Sequence, residues 1–445
     1  MFGPMIPEPP SHGNPLDALP RRFAVGFCGR RVYNTALTFD LLRLVSDRMA
    51  EKINVVFMAQ VQYPHGMAGT RRIQNFVDYL HADQRFQLQM LILRGGRVRL
   101  ADEPLSGEHR GVPYVTIGAG IRPGFGALLK APKYYYDGIA YLRRHRRADC
   151  KNVLYVYGYP STDNLPMLIA AGMAGWRIVF DLVEDIAVQP SAPDMLARLK
   201  LYSARLFSGT MRVFADAVVA ISKHLHDKAL RIARSSFEVL HYPINVRTDE
   251  FDFPPPAFDQ PVQFFYGGTF GEKDGVENLI AAFEKVCAAR PDVNLVLTGV
   301  GSPDRMDAVL ARIAASPCRH RILYKGYLAG EDFHGQLQAA DILCATRTGS
   351  QFARTGFPFK LGEYLATGRP VVASNVGDAN EYLQDKKNAM LVEPDEVQQI
   401  AEKLEWLIAH PDEARRIGLA GREAAAAHFD YRVVGEKLKH LLLKI

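Results

Sequence analysis

Along the chain, short apolar runs rich in β-branched residues alternate with longer stretches whose apolar positions recur every three or four residues, the period of a helix face. Ile53 to Met58 is such a run; it ends in a glycine loop, Tyr63 to Gly69, and a helical pattern follows from Thr70 to Leu80. Further strands are predicted at Gln89–Leu93, Val153–Tyr157, Arg177–Leu182 and Ala217–Ile221. The segment Phe251-Asp252-Phe253-Pro254-Pro255-Pro256 then breaks the pattern, because consecutive prolines neither donate to a sheet nor sit inside a helix. Beyond it the alternation sharpens. Strands are predicted at Val262–Tyr266, Asn294–Thr298, Arg321–Tyr324, Ile342–Ala345 and Val371–Ser374, and helices at Val276–Ala289, Arg305–Ala314, Asp332–Ala340 and Phe359–Thr367. Strands separated by helices run parallel, with the helices on the faces. The pattern therefore predicts an α/β chain of two doubly wound, Rossmann-like domains facing across a cleft between their strand carboxyl ends, where ligands bind.

The expected organisation is a mobile leader over residues 1–22, a first domain over 23–250, a linker over 251–261, a second domain over 262–426, and a C-terminal helix over 427–445 that packs back toward the first domain. Residues 23 to 50 fit the alternation poorly and read as an added strand and helix. With 445 residues, more than one core is required. The chain shows neither a continuous apolar span nor the charged, apolar and small-residue order of a signal peptide. Its five scattered cysteines, Cys28, Cys150, Cys287, Cys318 and Cys344, form no paired spacing, which suits a reducing, cytoplasmic compartment.

Charge divides the chain unevenly. Residues 1–250 carry 32 Lys and Arg against 22 Asp and Glu, a net of +10, and the remainder carries 22 against 26, a net of −4. Two basic stretches of the first half mix cations with aromatic and aliphatic residues. One runs from Leu129 to Arg147 and includes Lys130, Lys133, Arg143, Arg144, Arg146 and Arg147; the other, Met195 to Phe214, includes Arg198, Lys200, Arg205 and Arg212. Such segments suit peripheral contact with an anionic membrane at its inner face, or equally a solvated helix face. No nucleic-acid recognition module accompanies them, so nucleic acid is not an expected partner.

The chemistry concentrates in Thr355-Gly356-Phe357-Pro358-Phe359-Lys360-Leu361-Gly362-Glu363 and the residues after it. Pro358 suits the first position of a helix whose first-turn amides, from Phe359 and Lys360, face an anion together with the positive end of the dipole. Lys360 adds a full charge, and Glu363, three residues on and hence on the same face, can accept both hydroxyls of a ribose. Tyr266 to Val276 adds glycines and Lys273 after a strand, and Leu297-Thr298-Gly299-Val300-Gly301 adds another glycine turn.

These motifs resemble the donor site of family 4 glycosyltransferases, two-domain enzymes of the GT-B fold, and the resemblance covers the second domain. The family pattern is two glutamates eight positions apart, then a small residue, Gly, any residue, Pro, Val, Val. Here Glu363 is the second glutamate, which in the family binds the nucleotide ribose, and Thr355 replaces the first, which contacts the donor hexose. The resemblance implies a nucleotide-diphosphate sugar held by Gly268, Thr269, Lys273, Gly299, Gly326, Arg354, Gly356, Phe357, Lys360, Leu361 and Glu363. Lys273 matches the lysine that neutralises the diphosphate, whereas Thr269 stands where arginine is usual, leaving Arg347, Arg354 or Lys360 to supply the second charge. Gly66 and Gly69 match the loop that approaches the acceptor. Asp181, Glu184 and Asp185, after the strand Arg177–Leu182, match an acidic segment able to orient an acceptor hydroxyl or take its proton. Thr355 completes the candidate catalytic set.

The implied reaction is a retaining, metal-independent sugar transfer to a saccharide or lipid-linked acceptor in polysaccharide or glycolipid synthesis, with no cofactor beyond the donor. The chain lacks the Asp-x-Asp triplet that clamps a metal in the other major glycosyltransferase fold. Two alternatives share the architecture: a sugar-nucleotide 2-epimerase, which needs no acceptor, and an inactive sugar-nucleotide binder, suggested by Thr355.

Overall fold

The computed structural model describes residues 52–93, 104–119, 125–188, 195–233 and 238–445. The expected leader and the added strand and helix over 23–50 lie outside the described residues.

The first domain is built on eight strands, β1 (Ile53–Ala59), β2 (Phe86–Leu93), β3 (Ser106–His109), β4 (Val112–Ile117), β5 (Lys151–Tyr157), β6 (Arg177–Leu182), β7 (Ala217–Ala220) and β8 (Glu238–His241). Their order across the sheet is β3-β4-β2-β1-β5-β6-β7-β8. All neighbours pair parallel except β3, which forms an antiparallel edge with β4. Every residue of β1 is buried, as expected of a parallel strand covered on both faces. The helices are α1 (Ala68–His81), α2 (Phe125–His145), α3 (Leu165–Met173), α4 (Met195–Ser208), α5 (Met211–Phe214) and α6 (Lys223–Leu230). The predicted strands are all present. The β3–β4 hairpin and β8 were not foreseen, because β3 is an exposed edge without an apolar period.

The second sheet holds β9 (Val262–Thr269), β10 (Val293–Val300), β11 (Ile322–Tyr324), β12 (Ile342–Ala345), β13 (Val371–Ser374) and β14 (Met390–Val392), in the order β11-β10-β9-β12-β13-β14. This is the doubly wound order, with its switch point between β9 and β12. Its helices are α7 (Val276–Ala289), α8 (Pro303–Ala314), α9 (Gly330–Ala339), α10 (Gln351–Arg354), α11 (Phe359–Ala366), α12 (Ala379–Tyr382), α13 (Val397–Ala409), α14 (Pro411–His428) and α15 (Tyr431–Lys444). From Phe251 to Pro261 there is no helix or strand.

The last helix leaves the second domain. Val434, Leu438, Leu441 and Leu442 of α15 share one buried cluster with Val55, Phe57, Phe76 and Val77 of the first domain. Burial of each such side chain contributes about 1.5–3 kcal/mol. Val246 and Tyr431 also bond through their main chains, tying β8's exit to the start of α15. The crossing fixes the two sheets so that their carboxyl ends face each other.

Candidate functional site

On the second-domain rim, β9 ends in Gly267-Gly268-Thr269 and α11 begins directly opposite. Lys360 Nζ donates to Tyr266 Oη at 2.6 Å, faces Asp274 Oδ1 at 3.3 Å and lies over the Tyr266 ring. Gly268 has φ +151°, and a Cβ there would sit 2.6 Å from Lys360 Nζ, so glycine leaves room for the cation. Asp274 Oδ2 accepts from Thr269 Oγ1 at 2.7 Å and from the Gly271 amide at 3.1 Å. Burial pushes the Lys360 ammonium below its ordinary pKa, against the pull of Asp274. Burial would raise the Asp274 carboxyl, yet Lys360 and the Thr269 hydroxyl hold it below its ordinary value. Arg347 is buried too; its guanidinium donates to the Gly356 carbonyl at 3.2 Å, and burial lowers its pKa. Lys360 and Arg347 thus outnumber Asp274, leaving this rim cationic where an anion would lie.

Gly299 lies at the end of β10, and Gly326 follows β11. The Gly299 amide donates to the Gly326 carbonyl at 2.8 Å, and Thr298 Oγ1 donates to the same oxygen at 2.6 Å. A Cβ on Gly299 would lie 1.7 Å from the Gly268 carbonyl oxygen, so β9 and β10 meet this closely only because residue 299 is glycine. Around Gly326, with φ +69°, a Cβ would meet nothing within 4 Å, and the glycine serves the turn alone.

Three expectations on this side require correction. Pro358 is the N-cap, with extended backbone, and α11 starts at Phe359. Phe357 and Leu361 are core residues: Phe357 packs edge-on to Tyr382 and against Phe429, and Leu361 is fully buried, so their side chains hold α11 in place and do not face a ligand. Thr355 is buried, its hydroxyl donates back to the Phe352 carbonyl at 3.2 Å, and its own carbonyl accepts from Ser222 Oγ at 2.6 Å. It anchors the two domains and offers no free group to a hexose. Arg354 is exposed, and its Nε is bound to the Gly349 carbonyl at 2.9 Å.

On the first-domain rim, the three acids separate. Asp181 is inaccessible to solvent, and Arg72 donates to both its oxygens at 2.8 and 3.0 Å while also bonding the Pro243 carbonyl at 2.5 Å. This corrects its reading as a proton acceptor, because the pair clamps α1 to β6 inside the fold. Asp185 accepts from Lys228 at 2.5 Å, His224 at 2.8 Å and the Ala187 amide at 2.9 Å. Burial would raise its carboxyl, but these donors hold it below the ordinary range, so it too is committed to structure. Glu184 alone reaches the gap, where it accepts from Lys273 Nζ at 2.7 Å. Gly66 lets the loop close, since a Cβ would meet Thr70 Oγ1, which itself donates to the Gln62 carbonyl at 2.6 Å. A Cβ on Gly69 would lie 2.8 Å from Tyr157 Oη.

Glu363 is buried on α11 and ion-paired to Arg71, in the first turn of α1. Glu363 acts first in raising the Arg71 pKa, and the guanidinium lies 5.8 Å from the Phe333 ring centroid. Neither Arg71 nor Asp274 was singled out from the sequence. Asp274 follows Lys273 within the quoted glycine motif, a signal that was available; Arg71's partner is 292 positions away, so no local spacing exposes it. Among the described residues no group of three or more His, Cys, Asp or Glu could hold a metal ion.

The architecture is that of the GT-B glycosyltransferases. Sucrose-phosphate synthase from Thermosynechococcus elongatus superposes with a TM-score of 0.68 at 16% identity, covering 88% of this chain and 99% of that one. Anabaena Alr3699/HepE in complex with UDP and glucose gives 0.66 at 18% identity, with coverage of 88% and 99%.

Residues 260–410, most of the second domain, match the family described as glycosyl transferases group 1. Among relatives, a GDP-mannose-dependent monoacylated alpha-(1-6)-phosphatidylinositol monomannoside mannosyltransferase of Corynebacterium glutamicum is 31% identical over 172 residues, 38% of this chain and 44% of that protein. A GDP-mannose-dependent alpha-(1-6)-phosphatidylinositol monomannoside mannosyltransferase of Mycolicibacterium smegmatis is 28% identical over 243 residues, 51% and 62% of the respective chains. The chain therefore spans 44% and 62% of the length of these two relatives.

Proposed function

We propose that this chain is a glycosyltransferase that takes a sugar from a nucleotide-diphosphate sugar and passes it to a saccharide or lipid-linked acceptor in glycolipid or polysaccharide synthesis. The observation that carries the reading is the second-domain rim. Glu363 and Lys360 lie on one short helix whose amino end, with Arg347 and Lys273, faces the gap. The carboxylate suits ribose hydroxyls, and the cations suit a diphosphate whose negative charge grows as the glycosidic bond breaks. Groups fixed in place before reaction stabilise that charge more than the ground state.

In this reading the leaving group is stabilised by side chains and the helix start without a metal, and the anomeric configuration is retained. The names of the relatives favour GDP-mannose as donor and an inositol glycolipid as acceptor. Peripheral contact with an anionic membrane at the cytoplasmic face belongs to the same proposal. It is supported by Leu199, Tyr202 and Leu206, which are exposed on α4 at helical spacing, and by Leu129 and Tyr136, exposed beside Lys130 and Lys133 on α2. No described helix is long and apolar enough to cross a membrane.

The test is a mass-spectrometric assay in which GDP-mannose or UDP-glucose is offered with phosphatidylinositol glycolipids and soluble glycans. Transfer with one donor is expected, and the Glu363→Ala variant should lose about 100-fold or more of it while staying folded. No transfer with any pair, or full turnover by the variant, would overturn the reading. Each donor incubated alone separates transfer from epimerisation, since an epimer formed without acceptor would favour the isomerase.

A further inference from the structure

Two ion pairs cross the gap at the groups that the donor reading needs. Glu363, assigned to ribose hydroxyls, is held by the Arg71 guanidinium; Lys273, assigned to the diphosphate, is held by the Glu184 carboxylate at 2.7 Å. In each pair the first domain presents the chemistry that the nucleotide would present. Arg71 offers N–H donors to a carboxylate that would otherwise accept from two hydroxyls, and Glu184 offers anionic oxygens to an ammonium that would otherwise meet a phosphate. Both partners come from segments next to the gap, Arg71 from the first turn of α1 after the glycine loop and Glu184 from the loop after β6.

Resting on the proposed donor site, we propose that Arg71 and Glu184 are positioning residues that imitate the donor. They occupy its ribose and diphosphate contacts in the nucleotide-free enzyme and are displaced when a nucleoside diphosphate or its sugar binds. Displacement returns both groups to the gap, an anion and a cation, beside the acceptor loop of Gly66 and Gly69. Neither group is sealed away. Arg71 keeps 34% of its side-chain surface against 8% for Glu363, and Glu184 42% against 23% for Lys273, whereas both partners of the Arg72–Asp181 clamp are closed off at 1% and 0%. A partly solvated pair exchanges partners at small cost, and a sealed one does not.

The experiment is calorimetric titration of UDP, GDP and ADP into the full-length chain, its Glu184→Gln and Arg71→Met variants, and a control, Lys223→Met. The control breaks the exposed interdomain pair between Lys223 and Glu381, away from the donor groups. The nucleotide that binds the natural sequence should bind Glu184→Gln and Arg71→Met roughly two- to tenfold more tightly, the range a partly exposed ion pair commands. The control should stay within about twofold. Unchanged or weaker binding by both variants would overturn the inference and make these residues bystanders or direct donor ligands. Equal tightening by Lys223→Met would also overturn it, because general loosening of the domains would then explain the gain. If none of the four chains binds any nucleotide, the donor site itself is refuted and the imitation with it. Two independent variants keep the test decisive should one fail to fold.

Discussion

The two rims of the gap hold charged residues of the same kinds and use them in opposite ways. On the first domain, Asp181 and Asp185 are tied into the fold by Arg72, Lys228 and His224, and their carboxylates are almost fully covered. On the second, Arg347 is buried and Lys360 half-buried, but they outnumber Asp274 and leave a surplus of positive charge at the end of β9. The difference teaches that position at a strand's carboxyl end does not make an acid available for chemistry. What decides is whether its partners satisfy it completely, because a satisfied buried pair has no vacancy and a surplus charge has one.

The largest effect that would test this contrast is expected at Arg72. The Arg72→Met variant leaves Asp181 charged, buried and unpaired, and should lose about 3–5 kcal/mol of first-domain stability, read as a lowered melting temperature by circular dichroism. Adding Asp181→Leu should recover most of the loss, since a neutral pair carries no desolvation cost, and the folded double variant should still bind nucleotide. If the double variant regains stability but binds no nucleotide, Asp181 belongs to the site after all.

How far the sequence revealed these roles follows from the range of the interactions. The alternation of apolar strands and helices is local, so the two doubly wound domains were readable from it, and so was the loop, short helix and strand from Thr355 to Ser374. The pairing of Arg71 with Glu363, of Arg72 with Asp181 and of Glu184 with Lys273 joins residues 292, 109 and 89 positions apart, and no periodicity records it. Phe357 and Leu361 misled for the complementary reason: a motif places residues in order along the chain, while burial decides which of their atoms face the ligand.

A smaller effect distinguishes Gly299 from Gly326. Gly299→Ala places a Cβ against the Gly268 carbonyl oxygen at φ +135° and should cost about 1–3 kcal/mol, with a parallel loss of nucleotide affinity as the ends of β9 and β10 separate. Gly326→Ala, in open space at φ +69°, should cost only about 1 kcal/mol and leave affinity nearly unchanged. Equal losses in melting temperature and binding would mean that the approach of the two strands is not what the site requires.

The smallest expected effect is a pH dependence that asks whether the surplus charge on the second rim is Lys360. Burial lowers its pKa in the free enzyme, and a bound diphosphate favours the charged ammonium and moves the pKa back up. The sign follows by linkage. Below the lowered pKa, Lys360 is already charged and affinity is flat; as pH rises through it, binding must take up a proton and weakens by at most about tenfold per pH unit. Asp274, held below its ordinary value, stays ionised throughout and contributes no slope. The measurement is the calorimetric Kd of the bound nucleotide between about pH 7 and 10 for the natural chain and for Lys360→Arg, whose guanidinium does not titrate there. Titration of the nucleotide itself is common to both chains, so their difference isolates Lys360. A difference that grows with pH assigns the charge to Lys360, and parallel curves would move it to Arg347, which donates to the Gly356 carbonyl just before α11.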